Sequence, residues 1–456
     1  MTRPFRLTFV HPCIGRKPGQ SYLRTWQMEP LPVAVLAALT PAGVERRFHD
    51  DRLEAIPYDE PTDLVAISTE VYTAKRAYQI ASEYRRRGVP VVLGGFHATL
   101  VPEEAARYGE SVVVGEAEDT WGQVIEDYRS GTPRKLYRAA APPALDRSTP
   151  DRSIYAGKRY LPVGLVEAGR GCTFACEFCA IQTFHRSTYR RRPVDQILAD
   201  VRAVKDRSKL IFFVDDNIVS DSASARELLE ALVPLKARWV SQGSINAAMD
   251  EDLLRLLRAS GCKGLLIGFE SLEPANLRQM GKGVNLAQGD YERAMTNLRR
   301  HGLRVYGTFV FGYDGDTPET FEASLAFARR HGLYLCGFNH LVPMPGTPLY
   351  RRLEAEGRLL YDAWWLDDAY AYNTLPFRPA RMSPEEVRER CLDARRRFYS
   401  LHSTARRAFH PSNRSDWTFL QAFFALNLLH RFEIGKRDAL PLGDRNFQGA
   451  LLEASR

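Results

Sequence analysis

Short apolar runs ending in glycine, serine or an acidic residue recur through this 456-residue chain, and amphipathic stretches separate them. In the first third, Arg6–Val10, Asp63–Ser68, Val89–Gly94 and Ser111–Gly115 read as strands, with helices over Pro30–Leu39 and Ala74–Arg87. Apolar strands joined by helices imply a parallel, doubly wound sheet with both faces covered. Ligands of such sheets sit at the carboxyl ends of the strands. Ser68, Thr69, Gly94, Gly95, His97 and Gly115 are therefore expected along one rim, with Glu116 following the fourth strand. The Gly94–Gly95 pair permits close approach of backbone to a ligand. G-x-G-x-x-G is absent, so no dinucleotide fingerprint is expected.

A Pro- and Ala-rich stretch, placed at 141–160, reads as a linker between domains 1–140 and 161–345. Six further strands follow: Gly164–Ala168, Leu210–Asp215, Trp239–Asn246, Gly264–Glu270, Arg304–Gly312 and Leu335–Leu341. Helices are expected between them at Pro193–Lys205, Asp250–Ser260 and Gly289–His301. Six such repeats fit an open, partial β/α barrel whose chemistry lies at the C-terminal strand ends. Residues 346–456 read as a mainly helical region. Pro384–His402 is amphipathic, and Thr418–Leu429 is apolar nearly all round. That second segment is too short to cross a bilayer. It reads as a buried packing helix, with an apolar wall or a membrane-surface contact as the alternative. The aromatic run from Trp364 to Tyr372 is a candidate cap over the barrel opening.

Cys172, Cys176 and Cys179 form C-x3-C-x2-C just after the first strand of the second set. Three thiolates on one loop can hold three irons of a [4Fe-4S] cluster and leave the fourth iron open, where ordinary cluster sites use four cysteines. A structural zinc site wants four Cys or His ligands in close pairs, and no second close pair exists. A disulfide framework does not suit an odd count of seven cysteines, four of them scattered singly. Cys13, Cys262, Cys336 and Cys391 read as small buried residues, with Cys336 also a candidate substrate-side thiol.

Apolar and charged fractions of 45% and 26% are those of a globular protein. The start lacks the apolar stretch of a signal peptide, and no run of eighteen apolar residues occurs. A cytoplasmic, reducing location is expected, which suits free thiols. The net charge of +8 rests on arginine runs such as Arg85–Arg87, Arg190–Arg192 and Arg395–Arg397. They read as solvated helical faces. No RNA-binding motif accompanies them, so no nucleic-acid partner is expected.

The cysteine loop with Phe178 before its third cysteine resembles the signature of the radical S-adenosylmethionine (SAM) enzymes. Val214-Asp-Asp-Asn217, Ile267-Gly-Phe-Glu-Ser271 and Gly307-Thr-Phe-Val-Phe-Gly-Tyr-Asp-Gly-Asp-Thr317 follow in that family's order. The segment Val92–Thr99 with Val114–Glu118 resembles the cobalamin-binding domain that precedes the catalytic domain in one class of these enzymes. The resemblance implies a Rossmann-like cobalamin domain, a partial TIM-type barrel, a [4Fe-4S] cluster on the three cysteines, and SAM chelated to the open iron. It implies cleavage of SAM to a 5′-deoxyadenosyl radical and C-methylation of an unactivated carbon. The alternatives are a cobalamin-dependent oxidative cyclisation or rearrangement, and a non-catalytic cobalamin sensor.

The resemblance puts Phe178 near the adenine and Ser244 or Asn246 at the ribose or methionine carboxylate. Glu270 would bind SAM's ribose or amino group, and the backbone of Phe311 and Gly312 the adenine. His97 would lie near the corrin or else hydrogen-bond a loop carbonyl. His11 is not assigned as an axial ligand, because the D-x-H-x-x-G motif around it is broken. The bland alternatives are a helix N-cap for Asp215–Asp216 and an arginine partner for Glu270. A small-molecule substrate, hydrophobic or lipid-like, and an external electron donor such as flavodoxin or ferredoxin are implied as partners.

Overall fold

A computed structural model describes residues 3–146, 149–287 and 290–453. The chain forms two compact units: Met1–Leu161 with Asp362–Tyr372 and Ala439–Arg456, and Pro162–Tyr361 with Asn373–Asp438. The stretch 346–456, expected as one helical region, is thus divided between both units.

The first unit holds six parallel strands: β1 (Phe5–His11), β2 (Val44–Asp50), β3 (Leu64–Ser68), β4 (Val91–Gly94), β5 (Ser111–Val114) and β6 (Leu136–Arg138). Their order is β2-β1-β3-β4-β5-β6. The helices are α1 (Leu31–Leu39), α2 (Ala74–Arg86), α3 (Phe96–Leu100), α4 (Pro102–Tyr108) and α5 (Trp121–Ser130). The chain reverses direction across the sheet between β1 and β3, which is where such sheets open a ligand crevice. Two strands, β2 and β6, were not expected. Both are sheet edges, so their sequences need only one apolar face: β2 buries Val44 and Phe48 around Arg46 and Arg47, and β6 buries Tyr137 alone among its three residues. In the core Trp121 of α5 packs on Phe9, with ring centroids 6.0 Å apart. Its indole N–H donates to the Thr40 hydroxyl at 3.0 Å. Burying a large apolar group of this kind contributes about 1.5–3 kcal/mol.

The second unit carries β7 (Val163–Val166), β10 (Leu210–Phe213), β11 (Trp239–Gln242), β12 (Cys262–Glu270), β13 (Arg304–Phe311) and β14 (Leu335–His340) as a parallel sheet in simple chain order. A small antiparallel pair, β8 (Gly169–Gly171) and β9 (Tyr189–Arg191), brackets the cysteine loop. The helices are α6 (Ala180–His185), α7 (Val194–Lys205), α8 (Ser222–Leu232), α9 (Glu251–Ala259), α10 (Pro274–Gln279), α11 (Gly283–Ala287), α12 (Tyr291–Arg300) and α13 (Pro318–Arg330). The first residue expected for α12, Gly289, lies outside the described residues.

Along β11, and along β13 from Val305 onward, burial alternates residue by residue. One face is covered by helices: Phe311 stacks on Phe321 of α13 at 4.0 Å, and Phe269 meets Phe327 at 5.2 Å. Gln242, Leu266, Tyr306, Thr308, Val310 and Asn339 point the other way and remain half-buried or exposed. A parallel sheet is normally buried on both faces. The accessible face of this one is room for a ligand.

After the sheet come α14 (Pro348–Ala355), α15 (Pro384–Phe398), α16 (Leu401–Ala408) and α17 (Trp417–Arg437). The expected helix Pro384–His402 breaks at Ser400, whose hydroxyl caps α16 by accepting from the Ser403 N–H at 3.2 Å. The apolar stretch Thr418–Leu429 extends to Arg437 as α17. Its inner stripe of Phe419, Phe423, Asn427 and Ile434 is buried, while Trp417, Phe424 and Phe432 face outward. The run Trp364–Tyr372 belongs to the first unit. Its end forms β15 (Ala371–Tyr372), paired with β16 (Leu440–Pro441), and Trp364 packs on Tyr72 at 5.1 Å.

Candidate functional site

The cysteine loop runs from β8 to α6 and is fastened on three sides. Gly171 has φ +88°, and a β-carbon there would lie 2.1 Å from the Thr188 carbonyl, so only glycine turns the backbone into the loop at this point. Asp215 and Asp216, at the end of β10, accept backbone N–H groups of the approach to the loop: Ala168 N to Asp215 Oδ1 at 2.8 Å, and Gly171 N to Asp216 Oδ2 at 2.9 Å. They are clamps on β8 rather than helix caps. Burial pushes the Asp215 carboxyl up to about 8 and that of Asp216 up to about 6, against the pull of these N–H groups. Asn217 completes the set, its amide 3.8 Å from the Cys172 sulfur and 3.1 Å from the Ser244 hydroxyl.

On the far side Glu177 N–H donates to the Met280 carbonyl at 3.0 Å, and Arg352 forks onto the Glu177 carboxylate at 2.9 and 3.2 Å. The segment after α10 brings in Lys282, which sequence reasoning missed. Its ammonium pairs with Glu270 at 2.5 Å, and the two side chains are 13% and 9% exposed. Glu270 therefore has a lysine partner, not an arginine. Its φ of +63° is rare for a residue with a β-carbon and coincides with a shift of register between β12 and β13. Gly268 makes the room: a β-carbon there would sit 2.1 Å from a Glu270 oxygen. Burial works against the Lys282 charge, yet Glu270 and then Cys176 more than offset it and hold its pKa above the usual lysine range. Burial pushes the Cys176 thiol up to about 11, with Lys282 the main opposing influence. The one sequence signal for this residue was a lysine between two glycines, Gly281 and Gly283, which carries no chemistry until the fold delivers it to the loop.

The remaining candidates fall into two groups. Ser244, Asn246 and Phe178 lie half-buried in the same unit as the cysteines. The Asn246 side-chain oxygen is buried without a hydrogen-bond partner, and an orphaned acceptor of this kind fits a ligand that donates. Phe311 and Gly312 are less available than expected. The Phe311 carbonyl accepts from Leu341 N–H at 2.7 Å, Gly312 N–H donates to Asp316 at 2.7 Å, and the Phe311 ring is in the core. Cys336 shares the helix-covered face with Phe338, and Tyr399 O–H donates to its carbonyl at 2.9 Å, so it is no thiol of the open face. Cys13, Cys262 and Cys391 are buried and free.

In the first unit, Ser68, Gly94, Gly95, Gly115 and Glu116 lie half-buried at the carboxyl ends of β3, β4 and β5. Gly95 has φ +95°, and a β-carbon there would meet the Thr69 carbonyl at 2.7 Å. Thr69 is buried, its hydroxyl donating to the Gly94 carbonyl at 2.7 Å, so it fastens β3 to β4. At Gly115 a β-carbon would point into open space, which suits close approach of a flat ring. His97 is not at the rim. It is fully buried, with Nε2 2.9 Å from Glu104, which also accepts from the Tyr78 hydroxyl and the Trp365 indole.

Among the described residues no three His, Cys, Asp or Glu side chains gather around one metal-sized point.

Residues 166–328 match the family model of the radical SAM superfamily. The chain is 32% identical over 381 residues to a bacteriochlorophyllide d C-12(1)-methyltransferase from Chlorobaculum tepidum, covering 81% of this chain and 82% of that one. It is 27% identical to a hopanoid C-2 methylase from Rhodopseudomonas palustris over 74% of this chain and 66% of that one. Among solved structures, the radical SAM methyltransferase TsrM from Kitasatospora setae with cobalamin and [4Fe-4S] cluster bound aligns with a TM-score of 0.59 at 19% identity, covering 86% and 85% of the two chains. The cobalamin-dependent SAM radical enzyme OxsB aligns with a TM-score of 0.62 at 13% identity, over 94% of this chain and 72% of that one.

The fold and the cysteine loop together define a radical SAM enzyme. Within that superfamily the chain belongs to the family that carries a cobalamin-binding domain, the class B methyltransferase type. Among the described residues, no helix is long and apolar enough to cross a membrane.

Proposed function

We propose that this protein methylates an unactivated carbon of a ring-shaped substrate of the chlorophyllide kind, using a [4Fe-4S] cluster, SAM and cobalamin. The observation that carries this reading is the cysteine loop, held by Asp215, Asp216 and Glu177 and joined by a buried Lys282–Glu270 pair. When bound, the cluster supplies the electron that cleaves SAM, and cobalamin supplies the methyl group. The protein's own residues bind, orient and exclude water. Cys172, Cys176 and Cys179 would hold the cluster. The buried Asn246 oxygen would accept a hydrogen bond from SAM, Ser244 would offer its hydroxyl, Phe178 would lie by the adenine, and the Glu270 carboxylate would take SAM's ribose or amino group. The backbone at Phe311 and Gly312, already bonded to Leu341 and Asp316, would flank the adenine edge rather than bind it through those groups.

The chain-order sheet supports a partial β/α barrel, and its accessible face mixes apolar Leu266 and Val310 with hydrogen-bonding Gln242, Tyr306, Thr308 and Asn339, which supports a ring substrate that carries polar substituents. In the first unit the carboxyl-end rim of β3, β4 and β5, with Ser68, Gly94, Gly95, Gly115 and Glu116, supports cobalamin; Thr69 fastens β3 to β4 beneath it, and His97 stays buried against Glu104. His11 stays neutral: burial, and then Arg52, lower its pKa to about 3. An external one-electron donor such as flavodoxin or ferredoxin is required.

The test is anaerobic reconstitution with iron, sulfide and cobalamin, followed by turnover with SAM and a bacteriochlorophyllide. A product heavier by one methylene, formed with both 5′-deoxyadenosine and S-adenosylhomocysteine, is expected. A product that loses hydrogen without gaining carbon would replace methylation with oxidative cyclisation.

A further inference from the structure

We propose that the outer face of α16 and α17, with the basic cleft beside it, seats this protein on the surface of an anionic lipid bilayer. Leu401 is 62% exposed, Phe409 76%, Trp417 72% and Phe432 72%. On α17, Trp417, Phe424, Leu428 and Phe432 follow helical spacing down one side, while Phe419, Phe423 and Ile434 fill the core from the other. The helix therefore buries one apolar stripe and presents a second to solvent. On α16, Leu401 and Ala405 continue the exposed surface, and Phe409 follows one turn later.

The charge around this surface is predominantly positive, with Glu292, Glu322 and Asp393 paired to Arg330 and Arg397 at its edge. Arg396, Arg406, Arg414 and Arg431 are exposed. Between Phe398 and Phe432 the only acidic residue is Asp416. Its carboxylate caps α17, accepting the N–H groups of Thr418 and Phe419. Next to α16 opens a cavity of about 520 Å³ lined by Arg329, Arg330, Arg406, Arg407, His402 and His410, together with Ser403 and no carboxylate. Arg407 is committed to the carbonyls of Leu333 and Phe398, and Arg330 pairs with Glu292. Burial, followed by repulsion from Arg397, lowers the pKa of Arg329. A cavity lined by arginine and histidine with no carboxylate in its wall, next to exposed aromatic rings, matches the phosphates and acyl region of an anionic leaflet. A second copy of the protein fits less well, since a two-fold contact sets each basic rim against its own image.

The experiment uses the reconstituted full-length protein. It is floated with vesicles of equal parts phosphatidylcholine and phosphatidylglycerol, and with phosphatidylcholine vesicles alone. Binding to the anionic vesicles only, weakened by salt, is expected. The variant Arg406→Gln/Arg414→Gln should lose about 25-fold in partitioning, roughly fivefold per arginine. Phe409→Ser/Trp417→Ser/Phe432→Ser should abolish binding, with iron content and SAM cleavage unchanged. Brominated acyl chains should quench part of the wild-type tryptophan fluorescence, a readout that needs no variant. Absence of flotation, equal binding of wild type and arginine variant, or a wild-type dimer that the triple variant dissolves without loss of flotation would each overturn the proposal.

Discussion

Lys282→Met removes one half of a buried ion pair and leaves the Glu270 carboxylate without its cation. The two side chains are 13% and 9% exposed and 2.5 Å apart, so solvent screens them little. At an effective dielectric near 20, a pair a few ångströms apart attracts by about 4 kcal/mol. Stranding one partner of a buried pair costs about 3–5 kcal/mol. Heat denaturation of the apoprotein under anaerobic conditions should show the second unit melting roughly 6–20 °C lower. Glu270→Gln/Lys282→Met removes both charges and should recover most of that loss, because uncharged replacements of a buried pair are often near neutral. The same substitution withdraws the main influence that lowers the Cys176 pKa. Iron retained after reconstitution should therefore fall in Lys282→Met even at temperatures where the protein is folded. A single variant that loses less than about 1 kcal/mol, the value of a solvent-screened surface pair, would refute the reasoning. So would a double variant less stable than Lys282→Met.

Asp215→Asn should be tolerated better than Asp215→Ala in iron content, because the amide oxygen still accepts from Ala168. Its folded pKa is raised to about 8, so its contribution to stability is present below the ordinary carboxylate range and lost as pH rises through about 8. Asp215→Asn should flatten that part of the urea-midpoint profile. His340 runs the other way. Burial, and then Arg395, lower its pKa to about 3, so its contribution is present above the unfolded value near 6.5 and lost as pH falls toward 3. His340→Gln should reduce the fall in urea midpoint between neutral pH and pH 4. Gly95→Ala forces a β-carbon to 2.7 Å from the Thr69 carbonyl at a φ of +95°. It should cost about 1–3 kcal/mol, read by denaturation, and lower cobalamin retention measured by absorbance.

The parallel sheets were legible because their strands are apolar runs with abrupt polar ends. The strands left unseen, Val44–Asp50 and Leu136–Arg138, lie at sheet edges, where one covered face leaves little apolar signal. The cysteine loop was legible from spacing alone. Its fastenings were less so: Asp215 and Asp216 look like caps in a linear reading because their partners lie about 45 residues upstream. Lys282 reaches the loop only through the turn after α10. Cys336 is the small buried residue the sequence suggested, and only its alternative as a substrate-side thiol fails, because strand register turns it to the helix-covered face. His97 lies on α3, where its partner Glu104 comes from the next helix and could not be read from the strand end. The division of the C-terminal stretch was equally hidden, since it depends on Trp364 and Trp365 finding Tyr72 and Glu104 in the first unit.

The central claim is that three cysteines hold a cluster with one iron open to SAM. Mössbauer spectra of the anaerobically reconstituted protein, taken with and without SAM, test it most directly. The account predicts a [4Fe-4S] cluster with one iron site that changes on SAM addition, and loss of both cluster and 5′-deoxyadenosine formation in Cys176→Ala. Four equivalent irons indifferent to SAM, or SAM cleavage that survives Cys176→Ala, would contradict it.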